Sequence, residues 1–144
     1  MYQYNEAGKL TKIKFSDADG EVTATQVFEY DGAGRLASRL LYGRDGSFEG
    51  KTLMRTYDDK GRIASEAYGD DENATYYRKT VFRYDDHDNV VLEEDFEANN
   101  VVTDRTSYTY RFDSVGNWTM SRAVHWNNRD GGWTYDTHRL IKYY

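Results

Sequence analysis

Apolar and polar side chains alternate with a period of two along most of this chain, the pattern a half-buried β-strand requires. Val102, Thr106, Tyr108, Tyr110 and Phe112 share one parity, and Thr103, Arg105, Ser107, Thr109 and Arg111 take the other. Farther on, Trp118, Met120, Val124 and Trp126 alternate with Thr119, Ser121, Ala123 and His125, which predicts one face for Trp118 and Trp126. Val22, Ala24, Phe28 and Tyr30 form another such set, as do Ala74, Tyr76, Phe82 and Tyr84. No window carries a 3.6-residue apolar stripe of useful length, so the expected class is all-β.

The strands are punctuated by a phrase that returns five times, at 4–10, 30–36, 57–63, 84–90 and 112–118, with intervals of 26, 27, 27 and 28 residues. A fixed period in this range signals a repeat architecture. The clearest copies are Tyr30-Asp31-Gly32-Ala33-Gly34-Arg35-Leu36 and Tyr57-Asp58-Asp59-Lys60-Gly61-Arg62-Ile63. Asp opens a type I turn by accepting a backbone N–H two residues on, and Gly closes it with positive φ. That makes Asp31, Gly34, Asp58, Gly61, Asp85, Asp113 and Gly116 structural turn residues, with Asp88 holding the glycine slot of the fourth copy under some strain. Turn-rich stretches mark the opposite ends: 16–20, 43–46, 69–73, 97–100 and 127–132. The chain therefore reads as strand, tight turn, strand, variable loop. The expected fold is an antiparallel up-and-down meander of about ten or eleven strands from five hairpin repeats of about 27 residues. It forms one domain over 1–144 and a curved, largely single-layer sheet. An aromatic stands two residues before the turn tyrosine in Tyr2, Phe28, Phe82 and Tyr110, with Arg55 the exception, so aromatic ladders are expected along one face.

Composition fits a thin core. Leu, Ile, Val and Phe make up only 25 of 144 residues, but the 14 Tyr and 3 Trp supply large buriable surfaces. Pro is absent, as uninterrupted strand ladders prefer. A net charge of −6, with basic residues interleaved among acidic ones, argues against a nucleic-acid partner. No cysteine is present, which removes disulfides, thiolate nucleophiles and zinc ribbons and suits both a cytoplasmic and an exported bacterial protein. No apolar run is long enough to insert in a bilayer. The chain opens almost inside a repeat and stops at Tyr143-Tyr144, where a sixth phrase would begin, so a fragment of a longer repeat protein is expected.

The phrase Tyr-Asp-x-x-Gly-Arg-Leu, best kept at Tyr30–Leu36 and Tyr57–Ile63, resembles the YD repeat of bacterial RHS proteins and their teneurin relatives. The resemblance implies a surface or secreted protein whose β-hairpin repeats build a long curling sheet, in large members a hollow shell around a toxin. It also implies carbohydrate binding as an activity attributed to such repeats. Five repeats are too few to enclose a toxin, and no protease-like core motif or toxin tail is present.

Catalytic chemistry has little to stand on. His87, His125 and His138 fall in a turn, on the polar parity of a strand and in the last strand, with nothing to bring them together. The acidic turns Asp85–Asn89 and Asp17–Gly20 lack the distal bidentate carboxylate that calcium needs, and no cofactor or metal is expected. The sequons Asn73-Ala74-Thr75 and Asn117-Trp118-Thr119 matter only in a eukaryotic secretory pathway. One constellation suits a glycan: Trp126 and Trp133 flank the loop Asn127, Asn128, Arg129, Asp130, with Tyr135 two residues on. Rings there would stack on sugar faces while the polar groups bond hydroxyls. The competing structural reading is a Trp126–Trp133 cross-strand pair that seals the end of the sheet.

The expectation is thus a non-enzymatic scaffold or interaction module, extracellular or at the cell surface. Its partners would be other copies or adjacent repeats paired through edge strands. Two alternatives stand beside it, a carbohydrate-binding module and a small partner that neutralises a basic toxin.

Overall fold

The computed structural model describes residues 1–69 and 76–142. The expectations for Ala74, the Asn73-Ala74-Thr75 sequon, most of the 69–73 loop and Tyr143-Tyr144 lie outside the described residues. Eleven strands and no helix are present there: β1 (Tyr2–Tyr4), β2 (Leu10–Ser16), β3 (Val22–Tyr30), β4 (Leu36–Gly43), β5 (Phe48–Tyr57), β6 (Ile63–Gly69), β7 (Arg78–Tyr84), β8 (Val90–Glu97), β9 (Val102–Phe112), β10 (Trp118–Asn127) and β11 (Gly131–His138). The chain divides into two units, Met1–Lys79 and Thr80–Tyr144. Within each, the strands pair antiparallel with their neighbours in chain order, the meander the alternation predicts.

The turn phrase folds alike in all five copies. The Asp31 N–H donates to Arg35 O at 2.9 Å, and the Gly34 N–H donates to Asp31 O at 2.8 Å. The Asp31 carboxylate accepts the Ala33 and Arg35 N–H groups at 3.0 and 2.8 Å. The same pair of backbone bonds closes the turns that begin at Asn5, Asp58, Asp85 and Asp113. Gly34 has φ 75°, and Asp88 adopts φ 64° in the glycine slot. Asp tolerates this left-handed region better than most side chains, so the fourth turn is kept despite the substitution.

The loops at the other ends are less variable than their sequences suggest. Asp17–Glu21, Gly43–Ser47 and Glu97–Val101 repeat the same two backbone bonds, with Gly20, Gly46 and Asn100 in the positive-φ slot. These three loops thus use the same five-residue turn as the phrase.

The turns that begin at Asn5, Asp31, Asp58 and Asp113 are each followed by a β-bulge. Glu29 pairs with Ser38 but Tyr30 with Leu36, leaving Ala37 as the extra residue, and like shifts occur at Gln3/Tyr4, Thr56/Tyr57 and Trp118/Met120. A bulge flips the alternation beyond it. That corrects the expected pairing of Trp118 with Trp126. Trp118 lies opposite Phe112 and meets the Tyr110 ring at 6.1 Å, whereas Met120, Val124 and Trp126 fall on the other face.

The core is thin in both units. In the first, Leu40, Leu53 and Ala67 are buried, and in the second Ala123 is; no large side chain is fully buried among the described residues. Ser38 and Leu40 share one face, while the shift between Arg39 and Leu40 puts Leu53, opposite Arg39, on the other. Buried polar groups are satisfied in place: Ser38 donates to Glu29, Ser65 bonds Thr56 at 2.7 Å, and Arg105 pairs with Glu94 at 2.5 Å.

Candidate functional site

The turn tyrosine acts as a lateral staple between repeats. The Tyr30 hydroxyl donates to Leu10 O at 2.8 Å, and the Tyr57 hydroxyl donates to Leu36 O at the same distance. Leu10 and Leu36 are the first residues after the preceding turns, beside the bulges. The basic residue just before each leucine covers the ring that arrives. Lys9 Nζ stands 5.2 Å from the Tyr30 centroid and the Arg35 guanidinium 4.3 Å from that of Tyr57. Lys9 also donates to Gly34 O, and Arg35 bonds back to Asp31 at 2.8 Å. One phrase therefore closes its own turn and clasps the next repeat. The expected ladder of rings is here a ladder of cation and ring.

The last phrase shows what the staple requires. It opens with Phe112, which has no hydroxyl, and Tyr110 two residues earlier supplies the bond instead, to Val90 O at 2.8 Å. Phe112 packs its ring on His87 at 4.7 Å. Tyr110 is held above its ordinary pKa by burial and by the Asp85 charge.

The turn carboxylates show the effect of their bonds. The Arg35 backbone N–H, against a smaller opposing effect of burial, holds Asp31 below its ordinary pKa, with the Arg35 side chain adding to it. Burial acts to raise Asp58 and Asp85, but bonds from Arg62 and Asn89 respectively outweigh it and both are lowered. These shifts stabilise turns.

The proposed glycan constellation is split. Trp126 lies opposite Gly132 and Trp133 opposite His125, so the two Trp residues occupy opposite faces and do not pair. Trp133 stacks instead on His125 at 4.6 Å and on Tyr135 at 5.0 Å. His125 is further held by Thr106 at 3.0 Å and lies 3.6 Å from Asp104. Trp126, Trp133 and Tyr135 are 47%, 50% and 46% exposed. The Asn127 side chain accepts the Arg129 and Asp130 N–H groups, closing the turn, and the Asn128 N–H bonds Thr103 O at 3.0 Å. Asn128, Arg129 and Asp130 are exposed at the tip. Next to the stack, Tyr108 is pushed up to about 12 by burial and by the Glu93 charge. On the Trp126 face Arg122 and Asp136 form a two-bonded pair, each bond 2.8 Å.

Sequence reasoning named Trp133 and Tyr135 but missed His125 as their neighbour, because the register of β10 against β11 was not readable. It also missed the staple. The available signal was the basic residue before Leu10, Leu36 and Ile63, which recurs in the first three phrases.

These features define a protein of laterally clasped antiparallel hairpin repeats. Residues 4–46 match the family model RHS Repeat, so that stretch is similar to an RHS repeat. No curated protein matches it. Among solved structures it is similar to a Tc holotoxin pore from Photorhabdus luminescens, at 14% identity over 93% of this chain and 9% of that one, with a TM-score of 0.31. A TcdB2–TccC3 complex gives 14% identity, 96% and 9% coverage, and a TM-score of 0.32. A porin-like protein from Bacteroides uniformis gives 15%, 98% and 89%, and 0.29. The chain thus spans about a tenth of the two toxin-complex chains.

Proposed function

We propose that the chain is a non-enzymatic structural scaffold of RHS repeats, displayed at the cell surface or secreted, that works by presenting an extended hairpin sheet. The observation that carries this reading is the staple. In the second and third phrases Asp31, Gly34, Asp58 and Gly61 close turns, while Tyr30 and Tyr57, covered by Lys9 and Arg35, join neighbouring repeats. Asp31, Asp58 and Asp85, all held below their ordinary pKa, direct their carboxylates to bonds within their own turns.

A carbohydrate-binding role is the second reading, favoured by the exposed Trp133 and Tyr135 rings beside the tip residues Asn128, Arg129 and Asp130. Its weakness is that Trp133 already stacks on two rings of its own chain. A glycan array probed with the wild-type chain and with Trp133→Ala separates the two. The scaffold reading expects no saturable binding. A glycan that binds saturably, and is lost in Trp133→Ala with thermal stability unchanged, replaces it with the carbohydrate reading.

A further inference from the structure

Past the Trp118/Met120 bulge, β9 and β10 run in regular register, and residues opposite each other share a face. Met120 lies opposite Arg111, and Arg122 opposite Thr109. Both strands are paired on both sides, β9 with β8 and β10, β10 with β9 and β11. These four side chains line a depression of about 70 Å³ in the face of the sheet. One water needs about 10–15 Å³ of such space, so a group of about five heavy atoms fits.

Charge around the depression is uneven. Arg111 and Arg122 are diagonal neighbours across the ladder, a spacing of roughly 7–8 Å that long side chains bridge. Two guanidinium groups so placed repel each other. Arg122 spends its Nε and Nη2 groups on Asp136, at 2.8 Å each, which leaves Nη1 to donate elsewhere. Among the described residues no acceptor holds the Arg111 guanidinium or the Thr109 hydroxyl. The bond from Arg122 keeps Asp136 below its ordinary pKa, with His138 and Arg111 adding to the effect. One carboxylate is thus set among two fixed cations and a histidine. On β8, Glu94 of the same face is already taken by Arg105.

We propose that this depression binds a tetrahedral, doubly charged oxyanion, phosphate or sulfate, either free or as the end group of a larger ligand. Arg111 supplies a two-pronged contact, the geometry its planar fork is built for. Arg122 Nη1 and the Thr109 hydroxyl add single bonds, and Met120 lines the site with apolar surface, where each bond is stronger than in open water. A dianion relieves the repulsion between the two guanidinium groups, which a monoanion does only in part. The proposal rests on β9 and β10 and stands whether or not the scaffold reading does.

Titrating the isotope-labelled whole chain with inorganic phosphate at constant ionic strength, followed by NMR, reads the site directly. The Nε–H signals of Arg111 and Arg122 are expected to shift together and saturate, while that of Arg44 stays in place. Arg111→Gln should weaken binding by at least about tenfold, since it removes a charged, two-pronged donor. Arg111 is exposed, so the variant folds. Thr109→Val, which keeps every charge and removes one donor, should weaken binding severalfold. Glycerol phosphate distinguishes the two sources: tighter binding of the ester marks an end group, and equal or weaker binding marks a free anion. Shifts that never saturate, that spread to Arg44, or that persist in Arg111→Gln overturn the proposal. Acetate binding as tightly as phosphate overturns it too.

Discussion

Gly34→Val is expected to destabilise the protein by about 1–3 kcal/mol, because a β-branched side chain at positive φ is strained wherever it sits. Gly34 has φ 75°, and an added Cβ would clash with Lys9 Nζ. The ammonium can move, but it is the cation over the Tyr30 ring and the donor to Gly34 O, so moving it loosens the clasp between the first two repeats. Gly8→Val supplies the comparison. Gly8 has φ 73° and open space where its Cβ would be. In denaturant titrations both variants should lose stability, Gly34→Val the more. Equal midpoints for Gly34→Val and wild type would remove the turn assignment.

Leu53→Ala is the second large effect, expected at roughly 2–3 kcal/mol from lost transfer energy plus the cavity left behind. Leu53 is 6% exposed on β5, which is paired on both sides, and is one of three buried apolar side chains described in the first unit. So thin a core has little neighbouring bulk to collapse into the space. Thermal unfolding followed by circular dichroism would show the loss as a lowered midpoint. An unchanged midpoint would mean that the ladders, not the apolar contacts, hold the first unit.

Much of the architecture was legible because repetition amplifies weak signals. Asp31, Gly34, Asp58 and Gly61 each have a local mechanism, and the fifth occurrence of a pattern is more persuasive than the first. The eleven strands and their order follow from period-two alternation between such turns. Bulges were not legible, since an extra residue such as Ala37 or Thr119 looks like any other strand residue. That is why Trp118 was placed with Trp126 and lies instead beside Tyr110. The pairing of Trp133 with His125 was hidden for a related reason, because it depends on a three-residue turn at Asn128–Asp130 in place of the five-residue turn of the other described loops. The loops at Gly43 and Glu97 were read as variable because their sequences differ, although backbone bonds alone define the turn and Gly or Asn in one slot suffices.

The central claim is that the turn tyrosine joins each repeat to the one before it, and the phrase contains its own control. Tyr4 holds the same position as Tyr30 and Tyr57, but it is 60% exposed on an edge strand and its hydroxyl has no partner among the described residues. The measurement is the stability of Tyr4→Phe, Tyr30→Phe and Tyr57→Phe in parallel. Removing a hydroxyl that satisfies a half-buried carbonyl costs about 1 kcal/mol, so Tyr30→Phe and Tyr57→Phe should each lose that much while Tyr4→Phe matches wild type. Three variants of equal stability would contradict the staple.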